Sequence, residues 1–87
     1  MITRQFKVTN PSGLHARPAT DFSKIAQSFK SSVEITFKGK TKNAKSTISI
    51  MALGIKQGST IDVAFSGEDE QQACEAIEAL VAANFNE

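Results

Sequence analysis

The chain has no tryptophan, no tyrosine, one cysteine, one histidine and two prolines in 87 residues. With Cys74 as the only cysteine, an intramolecular disulfide is excluded. No Cys/His cluster has metal-ligand spacing, so neither a metal nor a cofactor is expected. Long runs of one charge are also missing. Lys and Arg number 10 against 9 Asp and Glu, for a net charge of +1. That balance offers little to hold nucleic acid or an anionic membrane. No apolar stretch approaches the length of a membrane-spanning helix, so no membrane insertion is expected. Met1-Ile2-Thr3-Arg4-Gln5 has no apolar run behind it, as a signal peptide would, and the expected location is the cytoplasm.

The length suits one domain, residues 1–87. A domain of this size buries only about 60–65% of the surface its unfolded chain exposes. Its core leaves little room for a ligand pocket of the usual ~300–1,000 Å³. Chemistry or binding at the surface is therefore favoured over an enzyme enclosing a small molecule.

Hydrophobic periodicity divides the chain into seven elements. Ile2, Arg4, Phe6 and Val8 alternate with Thr3, Gln5 and Lys7, which reads as a strand in which Arg4 is the one poor fit. Asn10-Pro11-Ser12-Gly13 is a turn cluster. Ala19, Phe22, Ala26 and Phe29 then recur at steps of three and four, predicting a helix from Ala16 to about Phe29, with Pro18 in its first turn. Val33, Ile35 and Phe37 alternate again. Lys38-Gly39-Lys40 turns the chain into a weaker strand, Thr41 to Ala44, and the two predict a hairpin. Ser46 suits the N-cap of a short helix running through Leu53, with Gly54 ending it. Ile61, Val63 and Phe65 form a last strand. A helix from Glu68 to Asn84 follows, with Cys74, Ile77, Val81 and Phe85 as its stripe and Ala73 and Leu80 beside it. The order β-α-β-β-α-β-α is an α+β pattern, whose apolar faces are most simply buried by helices on one face of a mostly antiparallel sheet.

His15 carries the chemistry. In Gly13-Leu14-His15-Ala16-Arg17-Pro18-Ala19 it lies between a turn and a helix start. Unbonded backbone N–H groups and the positive end of the helix dipole make an anion site there. A neutral imidazole nitrogen can attack phosphorus. Arg17 brings a guanidinium that matches phosphate geometry. Taken alone, such a histidine is a polar cap and such an arginine a solvated charge. Gly13, His15, Arg17 and Pro18 together agree on a phosphoryl site.

The Gly13–Ala19 motif resembles the phosphorylation site of the HPr family of bacterial phosphocarriers. Asn43-Ala44-Lys45-Ser46, followed by Met51 and Leu53, resembles that family's second landmark, and Gly67-Glu68-Asp69-Glu70 the turn before its last helix. The resemblance implies an open-faced β-sandwich: a four-stranded antiparallel sheet with three helices on one face. It implies that His15 accepts a phosphoryl group on Nδ1 from enzyme I, itself phosphorylated by phosphoenolpyruvate, and passes it to the IIA domain of a sugar permease. Arg17 steadies the phosphate, and the chain is a carrier, not an independent enzyme. It also implies a docking surface of Thr20, Lys24, Gln27, Ile48 and Met51. The alternative for Ile48 and Met51 is that they complete the core. Ser46 is either an N-cap alone or a site for a dedicated serine kinase. Thr47, where a larger apolar residue is frequent in the family, trims the apolar patch beside it. A monomer is expected.

Other classes stay in view. A regulatory protein of a nitrogen-related phosphotransferase branch keeps the same histidine motif. RNA-recognition domains share the order β-α-β-β-α-β but stack bases on sheet aromatics and display basic surface. This third strand has no aromatic residue. An independent enzyme needs a substrate pocket that the chain is too short to build.

Overall fold

Alternation of apolar and polar residues builds four strands, and period-3.6 stripes supply the helices that cover them. In a computed structural model, which describes residues 1–86, the elements are β1 (Ile2–Lys7), α1 (Ala16–Gln27), β2 (Ser32–Phe37), β3 (Lys40–Asn43), α2 (Thr47–Ala52), β4 (Thr60–Ser66) and α3 (Glu70–Ala82), followed by a 3-10 turn, Asn84–Asn86. The sheet order is β1-β4-β2-β3, antiparallel throughout. Val63 is central, paired with Arg4 on one side and Ile35 on the other. The β2–β3 hairpin closes through Lys38 and Gly39, both at positive φ (50° and 79°). Two such residues form the type I′ loop that matches strand twist.

One face of the sheet presents Phe6, Val33, Ile35, Ile61, Val63 and Phe65 to the helices, which contribute Ala19, Phe22, Ala26, Ile50, Leu53, Ala73, Cys74, Ile77 and Leu80 to a single buried cluster. The other face carries exposed Thr3, Gln5, Lys7, Glu34 and Asp62. The expected open-faced sandwich is therefore the fold. Arg4, the poor fit in the strand pattern, lies on the edge strand and reaches Glu78 of α3 at 3.9 Å instead of entering the core.

β1 and α2 each stop one residue early, at Lys7 and Ala52, β3 runs Lys40–Asn43 instead of Thr41–Ala44, and the two long helices are shorter than their periodicity. α1 stops at Gln27, because Ser28 and Phe29 donate to the carbonyls of Ile25 and Ala26 in a tightened last turn. α3 is shorter at both ends than Glu68–Asn84. Its carboxyl end stops at Ala82, and its buried stripe runs through Ala73, Cys74, Ile77 and Leu80, with Val81 only half-buried. Phe85 reaches the core by another route. Asn84, Phe85 and Asn86 all take left-handed backbone (φ 57°, 56° and 61°), and Thr9 donates its hydroxyl proton to Asn84 Oδ1 at 2.7 Å. Asparagine tolerates that conformation and often ends helices.

Candidate functional site

The loop entering α1 is fixed before it reaches His15. Asn10 Nδ2 donates to the Gly13 carbonyl at 2.7 Å, and the Gly13 N–H donates to the Asn10 carbonyl at 3.1 Å. Gly13 has φ +61°, and a Cβ there would lie 2.5 Å from the Ile55 carbonyl oxygen and 2.8 Å from Lys56 Cα. Only glycine fits a left-handed turn at that approach. Leu14 is buried, and its N–H donates to the Ile55 carbonyl at 3.0 Å. The segment 13–14 is thus sealed against residues 55–56.

His15 follows as the N-cap residue of α1, in extended backbone (φ −86°, ψ −158°), and its carbonyl accepts the Ala19 N–H at 2.9 Å. Its side chain is exposed and makes no capping hydrogen bond. The N–H groups of Ala16 and Arg17 have no intrahelical acceptor at such a helix start, and Pro18 has no N–H to satisfy. No acidic residue occupies the first turn. An anion beside the imidazole therefore meets N–H donors and the positive end of the dipole without competition from α1's own carboxylates.

The imidazole lines an open cleft of about 200 Å³ with Ser12, Leu14, Met51, Gly54, Ile55 and Lys56. Arg17 is exposed on the first turn, two residues beyond His15, and is not among the residues lining the cleft. The structure brings Met51 to His15. It leaves Ile48 81% exposed one turn earlier on α2, so the reading of Ile48 as core is overturned. Met51 is 37% exposed. Thr20, Lys24 and Gln27 follow one another along α1 at helical spacing. Thr20 spends its hydroxyl proton on the Ala16 carbonyl (2.8 Å), Lys24 is exposed, and Gln27 Nε2 donates to the Lys45 carbonyl (2.8 Å), tying the end of α1 to the approach of α2. Ser46 caps α2, its Oγ accepting the Ser49 N–H at 3.3 Å. Thr47 points its hydroxyl at Ser23 of α1, 2.6 Å away.

Sequence reading missed Ser12, Gly54, Ile55 and Lys56 as neighbours of His15. Gly54 was legible as a helix end and Ser12 as a turn residue. Nothing in local periodicity brings residues 54–56 beside 12–15, because that contact is made only by the folded chain. Cys74 lies apart, on the buried face of α3. Burial, reinforced by the Glu78 carboxylate, pushes its thiol up, so it stays protonated.

Comparison with known proteins agrees with this geometry. The family model for the PTS HPr component phosphorylation site matches residues 2–83. The phosphocarrier protein HPr of Buchnera aphidicola subsp. Acyrthosiphon pisum (strain APS) is 44% identical over 81 residues, covering 93% of this chain and 95% of that protein. The crystal structure of HPr-C-His from Thermoanaerobacter tengcongensis superposes with a TM-score of 0.97 at 37% identity, over 100% of this chain and 98% of that one. An HPr dimer from the same organism matches with a TM-score of 0.80 at 37% identity, over the whole of both chains. The fold by itself therefore does not dictate a monomer. Among the described residues no helix is long and apolar enough to cross a membrane. A family match across nearly the whole chain, joined to a solved relative of the same topology, identifies the chain as a member of the HPr family of phosphocarrier proteins, which carry a phosphoryl group and are not enzymes in themselves.

Proposed function

We propose that the chain accepts a phosphoryl group on Nδ1 of His15 from phosphorylated enzyme I and hands it to the IIA domain of a sugar permease. The observation that carries this reading is the free imidazole of an extended N-cap residue, open to solvent in a shallow cleft at the start of α1. The neutral Nδ1 lone pair attacks phosphorus. The N–P bond forms as the bond to the donor atom breaks, and that bond's electron pair leaves with the donor. Nε2 keeps its proton. The N–H groups of Ala16 and Arg17 and the dipole of α1 then face the new negative charge. The Arg17 guanidinium, two residues beyond His15, reaches the same oxygens. A shallow cleft suits a carrier, because both donor and acceptor must approach phosphorus from outside.

The docking face we assign to α1 and α2 holds Thr20, Lys24 and Gln27 with Ile48 and Met51. An apolar side chain as exposed as Ile48 is what a protein partner buries at the centre of an interface. Incubation with phosphoenolpyruvate and enzyme I tests the assignment: an acid-labile phosphate is expected on the wild-type chain and none on His15→Ala, with the melting temperature unchanged. Equal phosphate uptake by His15→Ala would falsify it.

A further inference from the structure

Lys56 is the one residue with a permanent charge among those lining the His15 cleft. The geometry points to a second cation for the phosphoryl group: the Lys56 ammonium contacts the phosphoryl oxygens from within the cleft while the group sits on His15, complementing Arg17, which stands on the first turn of α1 outside the cleft lining. This rests on His15 being the acceptor, as proposed above.

The backbone of Lys56 is anchored, and its side chain is exposed. Its N–H donates to Ser59 Oγ at 3.2 Å, and its carbonyl accepts the Ser59 N–H at 3.0 Å. The turn so formed is fastened to the end of β1, with Gly58 N–H donating to the Val8 carbonyl at 2.6 Å and Val8 N–H to the Ser59 carbonyl at 2.8 Å. A Cβ on Gly13 would stand 2.8 Å from Lys56 Cα, so the two backbones touch. Two residues of chain, at most roughly 7 Å, separate Gly13 from His15. A four-carbon lysine stem and a phosphorylated imidazole together span that distance. Among the described residues the ion pairs are Met1–Glu70 and Arg4–Glu78, so no carboxylate claims the Lys56 ammonium. The neighbouring walls, Leu14, Met51 and Ile55, are apolar, which strengthens attraction between an ammonium and a phosphoryl dianion above that between two fully solvated ions.

In the transfer step the N–P bond forms at His15 as the bond to the donor atom breaks and its electron pair leaves with the donor. Lys56 neither gives nor takes a proton in it. As a point charge it lowers the energy of the phosphoryl oxygens as they arrive.

The test compares wild type, Lys56→Gln and Lys56→Arg. Single-turnover phosphorylation is followed at rising concentrations of phosphorylated enzyme I, and the phosphorylated proteins are titrated by ³¹P NMR. Lys56→Gln should lower the saturating rate about three- to tenfold, between the worth of an exposed ion pair and that of a charge-assisted hydrogen bond. Its phosphoryl group should take up its proton at higher pH than in wild type, and Lys56→Arg should restore most of both. Melting curves of the three should coincide. A change confined to the half-saturating donor concentration, with the saturating rate and the ³¹P titration unmoved, would make Lys56 a docking charge and overturn the contact. Identical behaviour of Lys56→Gln and wild type in both measurements would also overturn it. If the wild-type chain took up no phosphate at all, the assignment of His15 would fail first, and the two failures are thus distinguishable.

Discussion

Ser23 of α1 and Thr47 of α2 share a hydrogen bond of 2.6 Å between their hydroxyls at the junction of the two helices. Ser23 is buried and also donates to the Thr20 carbonyl at 3.0 Å, so its single proton is spent and Thr47 is left to donate to Ser23 Oγ. Thr47, where the family often has a larger apolar residue, is thus half of a polar pair that fixes α2, with Ile48 and Met51, against the helix that His15 begins. Ser23→Ala should cost about 1–2 kcal/mol, because it strands the Thr47 hydroxyl at a part-buried site. The double variant Ser23→Ala with Thr47→Val should recover most of that loss, since replacing both partners by apolar groups of similar shape is nearly neutral. Urea denaturation of the singles and the double decides the point. A double variant as unstable as the sum of its singles would mean that the site cannot accept an apolar pair.

Arg17 tests the division between stability and transfer. It is exposed, and no ion pair holds it among the described residues. Arg17→Ala should leave the stability within about 0.5 kcal/mol of wild type. Loss of a charge-assisted contact to phosphate is worth roughly 1.5–3 kcal/mol, or about tenfold to over a hundredfold in transfer rate. Melting curves beside single-turnover rates separate the two effects. A destabilised protein with normal transfer would reverse the assigned role.

Local chemistry made most of this fold legible. The hairpin turning at Lys38-Gly39-Lys40, the Ser46 cap and the alternation in β2 and β4 are each read from a few adjacent residues. What escaped reading is long-range. The His15 cleft needs residues 54–56 beside 12–15, and its only sequence trace is a glycine at position 13 whose reason becomes visible once Ile55 and Lys56 are seen against it. Phe85 escaped because its spacing continues the α3 stripe while three left-handed residues carry it there. Asp69 was legible as part of a turn before a helix. Its side chain makes no cap there and spans 38 residues to the buried Ser31.

That bond makes a pH prediction. The Asp69 carboxylate accepts the Ser31 hydroxyl proton, the Lys30 N–H at 2.8 Å and the Ser31 N–H at 2.8 Å, joining the α1–β2 turn to the start of α3. The Ser31 hydroxyl, then the Lys30 and Ser31 N–H groups, hold its pKa down at about 2. The folded value lies below the unfolded one, about 3.9. The stabilisation is therefore complete above about pH 4 and is lost as pH falls from there toward 2. Asp69→Asn should melt below wild type at pH 7, and the gap between them should close across that window. A gap that stays constant from pH 7 to pH 2 would show that the shape of the side chain, and not its charge, holds the turn.

Ser46 separates capping from docking. Its Oγ accepts the Ser49 N–H, and it begins the helix that displays Ile48 and Met51. An aspartate at this position keeps an acceptor for the cap and adds negative charge at a helix N-terminus, where the dipole favours it by about 0.3–1 kcal/mol. Ser46→Asp should therefore keep or slightly raise the melting temperature. The same charge stands on the α1–α2 face proposed for docking, and it should repel a partner that presents an acidic surface there. Transfer from enzyme I to His15 should slow through weaker association, so a higher enzyme I concentration or added salt should recover part of the rate. Melting curves and transfer rates at two ionic strengths check both halves. Normal transfer by Ser46→Asp in low salt would put Ser46 outside the docking face and reduce its role to the cap of α2.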